Sequence, residues 1–274
     1  MRQKFIFLLT LFFFQNLNAQ ISPPGLGDSK FVSWTAFAIK QNLDTLGKKQ
    51  VVVYTGIGRL SNPNEFNPLK KQGIVVLNAE FYHQFTRSFQ YSFALSYRDQ
   101  NEYGANAPYA QSDPLFRQEF RCYGRFSHSL ERGRFKLVNT IRAEWRTFFE
   151  PDFDWWEEDF QLRFRYRVQA TFLLNETGRN KIIISAEPLV STTHDHLQHN
   201  WEMIGYRESR FCFYFSHKFK NAPLTVDLGY MDDLVNHKSI SYASVDLIWS
   251  NPFGKGGRKK LSHPGIGVER DALH

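Results

Sequence analysis

The chain has 274 residues, of which 42% are hydrophobic, 16% aromatic (27 of them Phe) and 22% charged, with a formal net charge of +7. So many aromatics exclude disorder. The longest apolar run, Phe5–Phe14, is about ten residues, half of the roughly 20 that a spanning helix needs. Two cysteines can form neither a disulfide framework nor a zinc cage.

At the N-terminus Arg2 and Lys4 precede the apolar run, and polar Gln15-Asn16-Leu17-Asn18-Ala19 follows. This order predicts a secretory signal peptide over residues 1–19, cleaved after Ala19, with Leu17 a bulky residue for its place. A short N-terminal anchor helix is the alternative. No Cys follows the cleavage site to accept a lipid. Residues 20–31 read as a linker. The modest basic excess gives no reason to expect a nucleic-acid partner.

From residue 32 onward the dominant period is two. Residues 32–43 read as one strand. Ten more follow at 50–60, 73–85, 88–98, 115–129, 134–148, 159–174, 181–190, 203–218, 224–231 and 239–249. In the longest, Phe160, Leu162, Phe164, Tyr166, Val168, Ala170, Phe172 and Leu174 alternate with Gln161, Arg163, Arg165, Arg167, Gln169 and Thr171. In a strand these two rows point to opposite faces. Such a length exceeds the usual soluble strand and suits a tilted membrane strand. The same opposition recurs: Phe116, Phe120, Cys122 and Phe126 against Arg117, Glu119, Arg121 and Arg125; Phe135, Leu137, Ile141, Ala143 and Trp145 against Lys136, Thr140, Arg142, Glu144 and Arg146. Short turns fall at 86–88, 131–134, 175–180 and 220–223. Longer loops fall at 61–72, 99–114, 148–158, 191–202 and 232–238. The alternation of short and long predicts periplasmic turns and extracellular loops.

These features predict an all-β fold: a single transmembrane antiparallel up-and-down β-barrel of ten to twelve strands, residues 32–253, in the bacterial outer membrane. A soluble β-sandwich or lipocalin-like barrel is the competing fold. Ten strands satisfy the even count of single-chain bacterial barrels, and residues 32–43 would make eleven. That segment is therefore interior, or a further strand goes uncounted, or the count is twelve.

The early strand with Trp34, the paired motifs Arg117-Gln118-Glu119-Phe120-Arg121 and Arg142-Ala143-Glu144-Trp145-Arg146, and the following Arg163-x-Arg165-x-Arg167 resemble the outer-membrane family known as domain of unknown function 2490. The resemblance covers about residues 31–253. It implies an outer-membrane barrel and assigns no activity, cofactor or catalytic residue. This chain runs on past Phe253, whereas barrels often end on an aromatic.

Alternation places a charged set on the face opposite Phe and Leu, which in a barrel is the lumen: Glu80, Arg98, Arg117, Glu119, Arg121, Arg125, Arg142, Glu144, Arg146, Arg163, Arg165, Arg167, Glu187, Glu208, Arg210, Asp227 and Asp246. Opposite charges across or diagonal contribute roughly 0.2–1 kcal/mol per pair, and the planar guanidinium suits carboxylate ladders. The lumen is either filled by an Arg–carboxylate network or is a narrow pore or binding cavity with an excess of positive charge, in which any conducting path favours anions.

Other motifs are weaker. Glu150, Asp152, Asp154, Glu157, Glu158 and Asp159 surround Trp155 and Trp156, a solvated acidic loop at a membrane interface or a hard-oxygen cation site. His194, His196 and His199 share a loop without a second ligand set. Ser185 and Ser216 lie on the polar face with no His at useful spacing, and His83, His128 and His217 fall near strand ends. Cys122 points outward and Cys212 inward, so no disulfide is expected. The basic Gly-rich stretch from Gly254 reads as a flexible periplasmic tail over residues 254–274, with anionic lipid or cell wall as possible contacts. The expected protein is non-enzymatic and needs no cofactor. Its partners are outer-membrane lipids and, during biogenesis, the barrel-assembly machinery; a lipid-modifying enzyme and a surface binding protein using its loops are the alternatives.

Overall fold

In the computed structural model, residues 21, 23–235 and 238–254 are described; the expected leader at 1–19 and the tail beyond Gly254 lie outside them. Twelve strands follow in order: β1 Phe31–Asn42, β2 Lys49–Leu60, β3 Lys71–Gln84, β4 Phe89–Tyr103, β5 Gln111–Arg132, β6 Phe135–Phe149, β7 Trp155–Leu173, β8 Asn180–Asp195, β9 Asn200–Trp201, β10 Gly205–Lys218, β11 Leu224–Val235 and β12 Lys238–Ser250. The two-residue β9 pairs only with the end of β8. The other eleven form one closed wall, because β10 pairs with both β8 and β11, and β12 pairs with β1. A single sheet closed on itself has no second sheet to pack against, which sets aside the sandwich.

The period-two reading holds along the wall, inverted relative to a soluble protein. Phe93 and Leu95 are 64% and 70% exposed on the outside, while Glu144 and Asp246 are 3% and 0% exposed within. Cys122 lies outside and Cys212 within, and both are free.

Residues 31–42 are a wall strand, so the wall has eleven strands, within the expected ten to twelve. Two expectations need correction. The barrel is not wholly antiparallel: β1 runs parallel to β12, from Phe31 opposite Ser241 to Lys40 opposite Ser250. An odd strand count forces this, since the first and last strands then point the same way. Finally, the expected long loops 99–114, 148–158, 191–202 and 232–238 are largely strand, because pairing continues through their polar residues. β5 begins at Gln111, β7 at Trp155, and β11 and β12 are separated only by residues 236 and 237. Polarity marked where the chain leaves an apolar exterior, not where its ladder ends.

The rim carrying the 61–70 and 104–110 connections is termed upper, and the rim with 85–88 and 133–134 lower. Inside, one sector is apolar and aromatic. Trp34, Tyr214 and Tyr242 are fully buried there with Val32, Ile74, Val76 and Met231. Large rings fit beside a wall strand because glycines face them. A Cβ on Gly56 would lie 2.3 Å from the Trp34 ring, and one on Gly229 2.2 Å from Tyr214. The opposite sector, β4 to β8, carries the charges.

Candidate functional site, the charged lumen

Register decides how the charges meet. Arg121 stands directly across from Arg146, Arg125 from Arg142, and Arg142 from Arg165. Like charges in register repel, and Glu119 and Glu144 form their ion pairs with diagonal arginines and with neighbours two residues away on their own strands, although they stand across from Arg98 and Arg163. Glu144 receives Arg142 Nε at 2.6 Å, Arg165 Nε at 2.7 Å and Arg121 Nη1 at 3.0 Å. Glu119 is held by Arg121 Nε at 2.6 Å and accepts from Arg146 Nε and Nη2 at 2.9 and 2.8 Å, a bidentate fork. Arg165 also reaches Glu187 at 2.9 Å, and Arg167 lies 3.7 Å from the same carboxylate. Glu80 accepts from Ser92 Oγ at 2.6 Å and Tyr123 OH at 2.8 Å, with Arg125 Nε at 3.3 Å. The Arg142 guanidinium lies 3.6 Å from the centre of the Tyr123 ring. Arg121 and Arg165 thus each bridge two carboxylates, and one network spans β5 to β8.

All seventeen expected lumen charges face inward. Arg117 pairs with Glu102 at 3.3 Å near the upper rim, and Arg210 pairs with Glu208 and lies 3.7 Å from Asp233. Asp227 and Asp246 stand opposite each other on β11 and β12, both buried, away from the main network. Glu102 and Asp233 join the inward set although both fell in expected loops. Lys40 is buried, and Lys136, Lys181 and Lys218 act on it electrostatically, which gathers four ammonium groups towards the lower rim.

Of the expected linker 20–31, Ile21 and residues 23–26 lie inside the barrel, and residues 27–30 reach its upper rim. Ile21 shares a pocket with Val52, Tyr54 and Tyr82, near the lower end. Arg210 Nη1 donates to the Pro23 carbonyl at 3.1 Å, and the Leu26 amide donates to Tyr242 OH at 3.1 Å. Lys238 Nζ meets Asp28 at 2.9 Å at the upper rim. The segment therefore climbs the bore before the chain turns down into β1. The free space beside its lower part is about 40 Å³, room for only a few waters at roughly 10–15 Å³ each. Above it a wider vestibule of about 390 Å³ opens at the upper rim, floored by Gly25 to Asp28 and walled largely by arginines. Sequence gave one weak sign of this segment, an apolar Ile21 and Leu26 flanking the Pro23-Pro24-Gly25 break.

The remaining motifs resolve locally. Asp159 Oδ1 lies 2.6 Å from His194 Nδ1, and Oδ2 lies 3.3 Å from His196 Nδ1. Phe149, Trp155, Phe160 and Trp201 form a ring cluster around these histidines. Among the described residues no group of three His, Cys, Asp or Glu side chains is arranged to hold a metal ion. His83 Nδ1 contacts Tyr91 OH at 2.9 Å, and His217 Nδ1 contacts Asn180 Oδ1 at 2.6 Å. Ser216 is buried between Lys181 and Asp227 in the register.

Comparison with known proteins gives one family. Residues 31–243 match the family described as protein of unknown function DUF2490. No curated protein matches. Among solved structures, a chain named copper transporter OprC is similar at 13% identity and a TM-score of 0.32, over 67% of this chain and 33% of that one. This chain thus spans about a third of that protein's length.

Proposed function

Since the chain belongs to the family of unknown function DUF2490, whose description assigns no activity, we propose from the geometry that it is a non-enzymatic outer-membrane barrel with its bore stoppered at rest. The apolar exterior supports membrane residence, because closed barrels satisfy every backbone group within lipid. The upper rim then faces outside and the lower rim the periplasm. The observation that carries the resting closure is the position of Ile21 and residues 23–26 in the bore, tied by Arg210 to Pro23 and by Tyr242 to Leu26. The Arg–Glu network fills much of the remaining section.

A narrow anion-favouring passage is the second reading, opened when that segment is displaced. Cationic side chains at both ends of the bore favour it: arginines in the upper vestibule and the lysine group below.

Conductance of the refolded chain in a planar bilayer tests both. The expected result is silence from the wild type. Leu26→Ser combined with Arg210→Gln, which loosens the segment, should give intermittent steps whose reversal potential in a salt gradient reports anion preference. Steady anion-selective steps from the wild type would overturn the stoppered reading. Silence from a folded double variant would overturn the passage.

A further inference from the structure

The charge balance of the upper lumen is incomplete. Glu119 and Glu144 already hold Arg121, Arg142, Arg146 and Arg165 between them. Two more guanidiniums enter the same vestibule with no ion pair of their own among the described residues, Arg98 from β4 and Arg163 from β7; the register sets them across from Glu119 and Glu144, carboxylates already held by other arginines. Arg98 is 9% exposed, and its Nε has no hydrogen-bond partner. Arg163 donates from Nε to the neutral Gln161 at 3.1 Å. Arg146, already spent on Glu119, acts electrostatically on both of them. A buried cation that must share an already engaged carboxylate is under-compensated, and that cost falls when an anion with several acceptor oxygens is supplied.

We propose that the vestibule binds a solute oxyanion of the phosphate class between Arg98, Arg146 and Arg163. Planar forks converging from β4, β6 and β7 suit an anion with oxygens in several directions. The carboxylates in the same cavity are otherwise engaged: Glu102 faces Arg117, while Glu208 and Asp233 face Arg210. Glu119 also acts on Arg98, and Glu208 and Glu144 on Arg163, but their ion pairs go to Arg146, Arg210 and Arg165. Asp28 and Glu158 complete the acidic lining. At about 390 Å³ the cavity has room for a small phosphorylated solute as well as for phosphate itself. The site lies inside the wall, which favours a dissolved anion over a lipid headgroup. It does not depend on whether the bore conducts.

The test uses the full folded chain in zwitterionic detergent at low ionic strength, titrated calorimetrically with inorganic phosphate and followed by thermal unfolding. Saturable binding and a phosphate-dependent rise in Tm are expected. Arg98→Gln and Arg163→Gln should each weaken binding at least tenfold, while Arg134→Gln at the opposite rim should leave it unchanged. Arg163→Gln also relieves repulsion, so without phosphate it should melt no lower than wild type. Should a Gln variant fail to fold, Arg163→Lys, which keeps charge and loses the fork, should show weakened binding. No heat and no Tm shift with the wild type would overturn the site. Undiminished binding in the folded variants would do the same, as would stabilisation by anionic lipid but not by phosphate.

Discussion

At the scale of single residues, Glu144 is the most consequential side chain in the lumen. It is 3% exposed and takes Nε of Arg142, Nε of Arg165 and Nη1 of Arg121. Glu144→Gln leaves these guanidiniums short of one negative charge in a dry interior. Breaking a buried ion pair from one side costs about 3–5 kcal/mol. A lower urea midpoint, read from the mobility of folded against unfolded barrel on gels, should show a loss of that order. Arg134→Ala breaks a pair with the exposed Glu176 at the lower rim and should cost less than about 1 kcal/mol, as exposed pairs do. Equal effects from the two variants would mean that the network contributes no more than surface charge. The inward direction of all these charges was legible in the sequence, since alternation alone fixes it. The diagonal pairing was not, because it depends on a register that places Arg121 across from Arg146. For the same reason it could not be read beforehand that Glu119 and Glu144, which the register sets across from Arg98 and Arg163, give their ion pairs to other arginines.

At the scale of elements, the apolar sector depends on glycine facing aromatic. The ring of Trp34 on β1 occupies the space that a Cβ at Gly56 on β2 would need, and Tyr214 on β10 does the same to Gly229 on β11. These contacts bring neighbouring strands and large rings together without forcing the wall outward. Gly56→Val should therefore prevent closure or lower stability by several kcal/mol, beyond the 1–3 typical of overpacking, since the contact would be with a fully buried ring. Gly124→Ala is the matched control: its Cβ would sit 3.7 Å from Phe93, an ordinary contact on the outer face, and it should fold normally. Strand identity was legible from periodicity. Strand ends were not: residues such as Gln111, Ser112 and Asp113 look like loop, yet continue the ladder of β5. Beyond the apolar belt, the outer face has no reason to be apolar, so the pattern fades while the hydrogen bonds persist.

At the scale of the whole molecule, the odd wall and the inner segment explain each other. An even count follows when a chain enters and leaves a barrel at the same rim and crosses only within the wall. Here the chain makes an ascent through the middle, from the level of Val52 to Asp28, before β1 descends. That inner ascent stands in for a twelfth wall strand, and the parallel β1–β12 seam is its geometric result. Residues 31–42 could be read as a strand but not assigned to the wall, because no local pattern in residues 20–30 tells an extended segment in a bore from an exposed linker. The seam can be checked by cross-linking. Thr35 and Val245 are partners in the parallel register and both sit on the outer face. With Cys122 replaced by Ser, the Thr35→Cys, Val245→Cys pair should be joined efficiently by a short thiol reagent, whereas Thr35→Cys with Val53→Cys, which are not register partners, should not. Failure of the first pair in folded protein would place β1 elsewhere.

The inner segment also sets an order of events. Its two internal hydrogen bonds reach 187 residues forward to Arg210 and 216 residues forward to Tyr242, both on strands synthesised late. Contacts so distant along the chain form only after most of the intervening polypeptide is in place. The earliest part of this fold therefore has nothing to grip until the latest part arrives. Completing the cylinder and seating its inner segment are then a single event; on the stoppered reading proposed above, biogenesis need never pass through a finished but leaking barrel.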